Sequence, residues 1–176
     1  MKPLPPPDCF HLSAAVGWLE LGNPREARAE LEAIALERRG HPDVLEVRWQ
    51  VEARSGQWER CRELAGVLVA QAPERPSTWV LQAYALRRAA GGGLRPAWDA
   101  LRPAAERFPQ EAIIPYNLAC YACQMGQPGE AWSWLKRALK LGDARQIKAM
   151  ALEDPDLEPL RSKLRTERGS SSDSAL

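Results

Sequence analysis

Small and apolar residues recur along this chain at an interval of about 34 residues. Four glycines lie 34, 36 and 34 residues apart, and a small residue follows each of them after five positions. Further apolar or small residues lie four and seven positions beyond that small residue, which places all three on one face of a helix. The glycines are Gly22, Gly56, Gly92 and Gly126, and the small residues are Ala27, Cys61, Ala97 and Ala131.

A fixed period in this range is typical of a solenoid whose units are helical hairpins. Each unit has a helix A, a turn at the glycine and a helix B. After a proline-rich lead-in at 1–7, we expect four hairpins, at 8–41, 42–75, 76–111 and 112–145. Two local features refine this prediction. Asp8 is expected to be the N-cap of the first helix. Pro103 is expected to bend the third helix B, because proline has no N–H to donate.

The residues after the fourth hairpin predict a closing segment at 146–165. We expect one helix at 144–152, a turn at 154–156 and a short helix at 157–165, because the last repeat of an array needs a cover with a polar outer face. The remaining residues, 166–176, are polar and lack periodicity, which predicts a disordered tail. The chain is therefore expected to be all-α, with ten helices and no sheet.

The units resemble tetratricopeptide repeats. The fourth carries the family's pattern most completely, in the string YNLACYACQMGQPGEAWSWLKRALKLGD, and the third has Trp79 together with Ala97, Ala104 and Pro109. The closing segment is similar to those that end many bacterial arrays. This resemblance implies a right-handed α-α superhelix, in which the A helices line a concave groove that binds a peptide segment of a partner protein. It therefore implies a non-catalytic adaptor or scaffold.

The resemblance also implies a contact set in that groove. Arginine forks bind carboxylates and tyrosine rings supply flat contact area, so this chemistry favours an acidic ligand. Asp43 and Glu46 lie on the same predicted face, which favours a ligand of mixed charge instead. A solvated face without a specific ligand is the alternative. The expected contacts are Arg54, Tyr84, Arg87, Arg88, Tyr116 and Asn117.

Composition and charge narrow the class of partner. The 176 residues carry 24 Lys and Arg against 23 Asp and Glu, for a net charge of +1. This balance gives no overall field that would favour nucleic acid or an anionic membrane. The sequence has neither a secretory signal nor an apolar run that could span a bilayer. Four cysteines are too few for a disulfide scaffold. We therefore expect a cytoplasmic protein that binds neither nucleic acid nor membrane.

The sequence Cys120-Tyr-Ala-Cys123 carries the strongest alternative. A CxxC pair can act as a redox couple or as half of a zinc site. Here it falls inside a predicted helix, and no second CxxC supplies the remaining zinc ligands. We expect two reduced, metal-free thiols that pack as small apolar residues, and no cofactor. A thiol-based redox or metal-binding switch remains the alternative, as does a self-association module.

Two further residue types are candidates for function. Neither histidine lies in a catalytic motif, so the sequence does not predict an enzyme. Trp98 and Trp132 begin successive B helices and are expected to pack between repeats. Trp134 lies only two residues beyond Trp132 and therefore on another face. It is either a contact patch or a single exposed aromatic residue.

Overall fold

The computed structural model describes residues 2–166 of the chain. Within that range every regular element is helical, in eleven α-helices and two 3-10 helices. The all-α prediction is confirmed. None of these helices is both long enough and apolar enough to cross a bilayer. The helices fall into two compact units, the first ending at Gly93 and the second beginning at Leu94. This boundary lies inside the third predicted repeat, and the repeat boundaries themselves stay a prediction.

The first unit contains five α-helices that pack in sequence order. Proline begins three of them, where its missing N–H costs nothing because the first N–H groups of a helix have no partner within it. Two apolar clusters hold the unit together. One includes Leu19, Leu31 and Val44, and the other includes Trp49 and Cys61. The helices are α1 (Asp8–Glu20), α2 (Pro24–Ala33), α3 (Pro42–Arg54), α4 (Trp58–Gln71) and α5 (Pro76–Arg88), with a 3-10 turn at Leu36–Arg38 before α3.

Three of the four predicted turns share one backbone conformation. Gly22, Gly56 and Gly126 have φ of 75°, 69° and 75°, in the left-handed region that glycine adopts without a steric cost. The third turn is different. Its positive φ values fall on Gly91 and Gly93 rather than on Gly92, so equating Gly92 with the other three glycines was wrong. The third predicted repeat has two extra residues, which lengthen this turn. The left-handed conformation therefore falls on the glycines before and after Gly92.

The second unit begins with a helix that proline interrupts. It contains α6 (Leu94–Leu101), α7 (Ala104–Arg107), α8 (Ile113–Gln124), α9 (Pro128–Leu141), α10 (Ala144–Glu153) and α11 (Arg161–Thr166). The predicted third helix B is divided into α6 and α7 at Pro103. The expected bend is therefore a break, which accounts for one helix more than the ten predicted.

The closing segment differs from the prediction in its middle. Where a turn and then a short α-helix were expected, a 3-10 helix runs over Pro155–Leu160 and leads into α11. Asp154 begins this 3-10 helix, since its Oδ1 accepts a hydrogen bond from the backbone N–H of Asp156 at 2.9 Å. Thr166 belongs to α11, although it was predicted to begin the tail. Its remaining residues, 167–176, lie outside the described range.

The N-terminal prediction also needs correction, because Asp8 is not an N-cap. Pro7 is the N-cap of α1, and Asp8 is the first helical residue. Asp8 is 2% exposed, and its carboxylate reaches away from its own helix. It accepts hydrogen bonds from the backbone N–H of Ala35 at 3.0 Å and from Arg38 Nη1 at 2.7 Å. Asp8 thus ties α1 to the segment that joins α2 and α3.

Candidate functional site

Four side chains of the first unit form a cluster around one arginine, which we call the Arg88 cluster: Trp49, Trp58, Tyr84 and Arg88. The Arg88 guanidinium lies over the Tyr84 ring, 3.6 Å from its centroid, and 5.2 Å from the Trp58 ring centroid. Tyr84 also contacts Trp49 and Trp58, each with ring centroids 6.0 Å apart. These contacts fix the position of the cation, since a guanidinium stacks favourably on electron-rich rings.

Two hydrogen-bond donors of the Arg88 cluster have no acceptor among the described residues. Within the described residues, Arg88 Nη1 is buried without a hydrogen-bond partner, and so is the indole N–H of Trp49. Leaving such a donor unsatisfied costs about 1–3 kcal/mol. Arg88 itself is half-buried, so part of its side chain meets solvent. The cluster therefore holds a positively charged side chain in a fixed position.

Two acidic residues on the face predicted to bind the ligand, Asp43 and Glu46, are already paired. Arg75 Nη1 contacts Asp43 Oδ1 at 2.6 Å and Glu46 Oε1 at 3.3 Å. Ser77 Oγ also donates to Glu46 Oε1, at 3.1 Å. The hydrogen bond to Asp43 is the main cause that raises the pKa of Arg75 above its ordinary value. Asp43 and Glu46 thus repel a negative ligand less than the sequence alone indicates.

The predicted contact residues are divided between the two units. Arg54, Tyr84, Arg87 and Arg88 belong to the first. Arg54 ends α3 and is exposed, and Arg88 ends α5 one 34-residue period later. Arg87, beside Arg88, is half-buried. The three arginines among them are the basic residues of the predicted contact set.

Tyr116 and Asn117, both on α8, lie in the second unit. Tyr116 is 7% exposed, and its hydroxyl donates to Asp154 Oδ2 at 2.9 Å. Burial is the main cause that raises the Tyr116 pKa, and Cys120 and Asp154 add to it. Asn117 Nδ2 donates to the backbone carbonyl of Ile113 at 2.8 Å. Tyr116 therefore holds the closing segment and has little surface for a partner, which corrects its predicted role.

The two cysteines of the CxxC sequence are buried in the middle of α8. Cys120 is 4% and Cys123 is 6% exposed, and neither forms a disulfide. Cys120 Sγ donates to Asp154 Oδ2 at 3.5 Å. Burial is the main cause that raises the pKa of Cys123, and the charges of Asp156 and Asp154 add to it. A raised pKa disfavours the thiolate that redox exchange requires.

The tryptophans that begin the B helices are buried as expected, with Trp98 at 5% and Trp132 at 6% exposed. Trp134 is half-buried. Its ring packs edge-on against Trp98 with centroids 6.0 Å apart, and Arg137 lies 5.6 Å from its centroid. Trp134 thus contributes to packing within its unit, and a contact patch there stays a prediction.

Sequence reasoning missed several residues that shape these two regions, namely Trp58, Arg75, Asp154 and Asp156. A signal existed for one of them. Asp154 lies 34 residues after Cys120, which is one repeat period, and equivalent positions of adjacent repeats are neighbours in a stack. No comparable signal indicated Arg75, because it lies in a loop whose path the repeat pattern does not determine.

Comparison with known proteins identifies the fold. No family model and no curated protein matches the sequence, but solved structures do. A thermophilic TPR protein of Thermus thermophilus, TTC0263, is 21% identical, with a TM-score of 0.71 over 90% of this chain and 95% of that one. The fold is that of tetratricopeptide-repeat proteins. The MamA proteins of RS-1 and AMB-1 also match, with TM-scores of 0.64 and 0.60 and identities of 15% and 18%.

These similarities extend over most of each chain. The RS-1 MamA match covers 79% of this chain and 77% of its own, and the AMB-1 match covers 94% and 93%. The tetratricopeptide-repeat fold therefore accounts for both the hairpins and the closing segment. In that fold the paired helices bury small residues at their contacts, as Ala27, Cys61, Ala97 and Ala131 do here, each at 0% exposure.

Proposed function

We propose that this protein is a non-catalytic adaptor that binds a carboxylate-bearing segment of a partner protein through the Arg88 cluster and the adjoining Arg54 and Arg87. The observation that supports this proposal is the environment of the Arg88 guanidinium. Its guanidinium is held in place by aromatic rings, yet within residues 2–166 it has no carboxylate partner. A prepositioned arginine loses little side-chain entropy when it binds a carboxylate.

Three other half-buried arginines of the first unit differ from Arg88 in having an acidic partner. Arg28 binds Glu52, Arg38 binds Asp8, and Arg75 binds Asp43 and Glu46. Each thus compensates an acid of its own chain. Arg88 instead rests on uncharged rings, which neutralise none of its charge. A ligand carboxylate at the part of Arg88 that meets solvent would supply the missing counter-charge.

The fold adds general support for an interaction module. Tetratricopeptide-type arrays offer extended surfaces rather than enclosed pockets, and the solved structures with this fold include a protein described as a TPR protein. We propose the cytoplasm as its location and a protein as its partner, with neither nucleic acid nor membrane as ligand. The near-zero net charge supports the exclusion of nucleic acid, because polyanion binding depends on a basic surface.

The test is a pair of charge-removing variants with one partner segment. Cross-linking to the intact protein identifies the segment, which is then synthesised and its affinity measured by calorimetry. We expect Arg88→Gln to weaken binding about 10- to 100-fold, in the range of an interface hot spot. Arg88→Lys should also weaken binding, because lysine keeps the charge but loses the planar stacking on Tyr84.

Arg25→Gln is the matched control, since Arg25 is an exposed arginine of the same unit on α2. It should change the affinity by less than about twofold, because exposed charges away from an interface contribute little. Circular dichroism must show each variant folded. Arg88→Gln with the affinity of the parent would refute the proposal. If light scattering shows a dimer that Arg88→Gln dissociates, the partner segment belongs to a second copy of this chain instead.

A further inference from the structure

The first unit also contains an open cavity that side chains of α3 and α4 line. Its volume is about 370 Å³, within the range of about 300–1,000 Å³ that is typical of small-molecule sites. The lining residues of each helix are spaced by three or four positions, so they share one face of that helix. None of them belongs to the Arg88 cluster. They are Arg48, Glu52, Arg60, Glu63, Leu64 and Val67.

The lining surface of this cavity is more apolar than polar. Leu64 is half-buried, and Val67 is 44% exposed. The methylene groups of the arginine side chains add to this apolar surface. An apolar part of a ligand that covers these groups removes them from water, which favours binding. The cavity therefore favours a ligand with an apolar body.

The charges around the cavity leave one arginine without a counter-charge. Glu52 is buried, and its carboxylate accepts hydrogen bonds from Arg28 at 2.7 and 3.2 Å. Arg60 Nη1 lies 3.8 Å from the same carboxylate. Arg48 is half-buried, and its side chain forms no ion pair or hydrogen bond with any residue in the described range. Glu63 is exposed, so water screens its charge. A single negative charge on a ligand would balance that of Arg48.

This combination restricts the chemical class of the ligand. The two arginines repel a cation, because the buried carboxylate of Glu52 is already compensated by Arg28. A dianion such as phosphate has no apolar body to cover the walls, and its second charge meets those of Glu52 and Glu63. A carboxylate carries one charge and presents two oxygens, which match the donors of a guanidinium. An aliphatic carboxylic acid therefore fits both the charge and the walls.

We propose that this cavity binds a small carboxylic acid with an aliphatic body. The carboxylate accepts hydrogen bonds from Arg48 and Arg60, and the aliphatic body packs on Leu64 and Val67. Arginine suits this role because its planar fork binds a carboxylate through two hydrogen bonds. The site shares no residue with the Arg88 cluster, so this proposal does not depend on the proposed function.

Octanoate is the probe, and amide ¹H–¹⁵N NMR spectra of the full chain give both the affinity and the location of binding. We expect shift changes around the cavity and a dissociation constant in the millimolar range, as for other ligands of this size. Octanamide has nearly the same shape but no charge, so it should bind at least about fivefold more weakly. Butanoate lacks four of the methylene groups and should bind at least about tenfold more weakly.

Two substitutions test the two parts of the site separately. Arg48→Gln should weaken octanoate binding at least about fivefold, because it removes the charge that pairs with the carboxylate. Val67→Ser should weaken it about threefold through the lost apolar contact, and its exposed position makes unfolding unlikely to interfere. Arg62→Gln is the matched control. Arg62 is an exposed arginine of α4 that lies 2.9 Å from Glu59 and does not line the cavity, so the affinity should change less than about twofold.

Three results would each overturn the proposal. The first is a spectrum without shift changes at the cavity residues. The second is a set of shift changes centred on Arg88, which would show that the other arginine site binds octanoate. The third is an affinity for octanoate that neither Arg48→Gln nor Val67→Ser lowers in variants that circular dichroism shows to be folded.

Discussion

The buried ion pair between α2 and α3 gives the sharpest test of how the first unit is held together. Arg28 donates to both carboxylate oxygens of Glu52, at 2.7 and 3.2 Å. The Glu52 side chain is 4% exposed and that of Arg28 is 33% exposed. Arg60 lies 3.8 Å from the same carboxylate and is largely exposed. The perturbation is Arg28→Met, which keeps much of the apolar stem and removes the charge.

The expected cost follows from what the substitution leaves behind. Removing one partner of a buried ion pair costs about 3–5 kcal/mol, because the other charge stays buried and uncompensated. Here water reaches Arg28, and Arg60 compensates part of the Glu52 charge. We therefore expect a loss of about 2–3 kcal/mol in the free energy of unfolding. For a chain of this size that corresponds to a fall in melting temperature of about 4–12 °C.

The double variant Arg28→Met with Glu52→Met separates pairing from packing. Well-packed apolar residues often replace a buried ion pair at no cost, so the double variant should lie within about 1 kcal/mol of the parent. Urea denaturation of the parent, both single variants and the double variant gives the coupling energy. Arg25→Met, exposed on the same helix, should change stability by less than about 0.5 kcal/mol. The reasoning is refuted if the double variant loses as much free energy of unfolding as the two single variants together.

Two further predictions concern the backbone and acid stability. Hydrogen bonds from Arg38 and from the Ala35 N–H lower the pKa of Asp8 below its ordinary value of 3.8. Its stabilising contribution is therefore present above about pH 4 and is lost as pH falls through the lower native pKa. In urea denaturation Asp8→Asn should be less stable than the parent near pH 6, with a difference that narrows towards about pH 2; a difference independent of pH would contradict this. Gly126→Ala should cost about 1–2 kcal/mol because φ there is 75°, whereas Gly17→Ala, inside α1 with open space at its Cβ position, should stabilise by about 0.5–1 kcal/mol. Equal effects at the two glycines in thermal unfolding would show that the left-handed turn is not the cause.

The sequence was sufficient to predict the helices because their signals are local and repeated. Small residues at fixed spacing indicate where two helices approach closely, and glycine followed by proline marks most turns. The third turn was assigned incorrectly because two extra residues there allow more than one glycine to take the left-handed conformation. Pro103 was recognised as a disruption, but sequence alone does not determine whether a proline bends a helix or divides it.

The side-chain pairs were harder to foresee, since each joins residues that are distant in the chain. Aspartate is a residue type that is favoured at N-caps. The Asp8 carboxylate nevertheless reaches Ala35 and Arg38, which lie 27 and 30 residues away. Local preference favours a cap at such a position. The longer contact prevails because the path of the chain between α2 and α3 brings both donors to the carboxylate. Only the three-dimensional course of that loop could reveal this.

The same kind of long-range pair compensates the acidic residues of α3. In the structure Glu52 is compensated by Arg28 from the preceding hairpin, and Asp43 and Glu46 are compensated by Arg75 from the following loop. The acidic residues of α3 therefore pair with arginines from the elements before and after that helix. Arg88 has no such acid within the described residues, and this difference between compensated acids and an uncompensated, aromatic-supported cation makes a negatively charged partner segment the expected ligand.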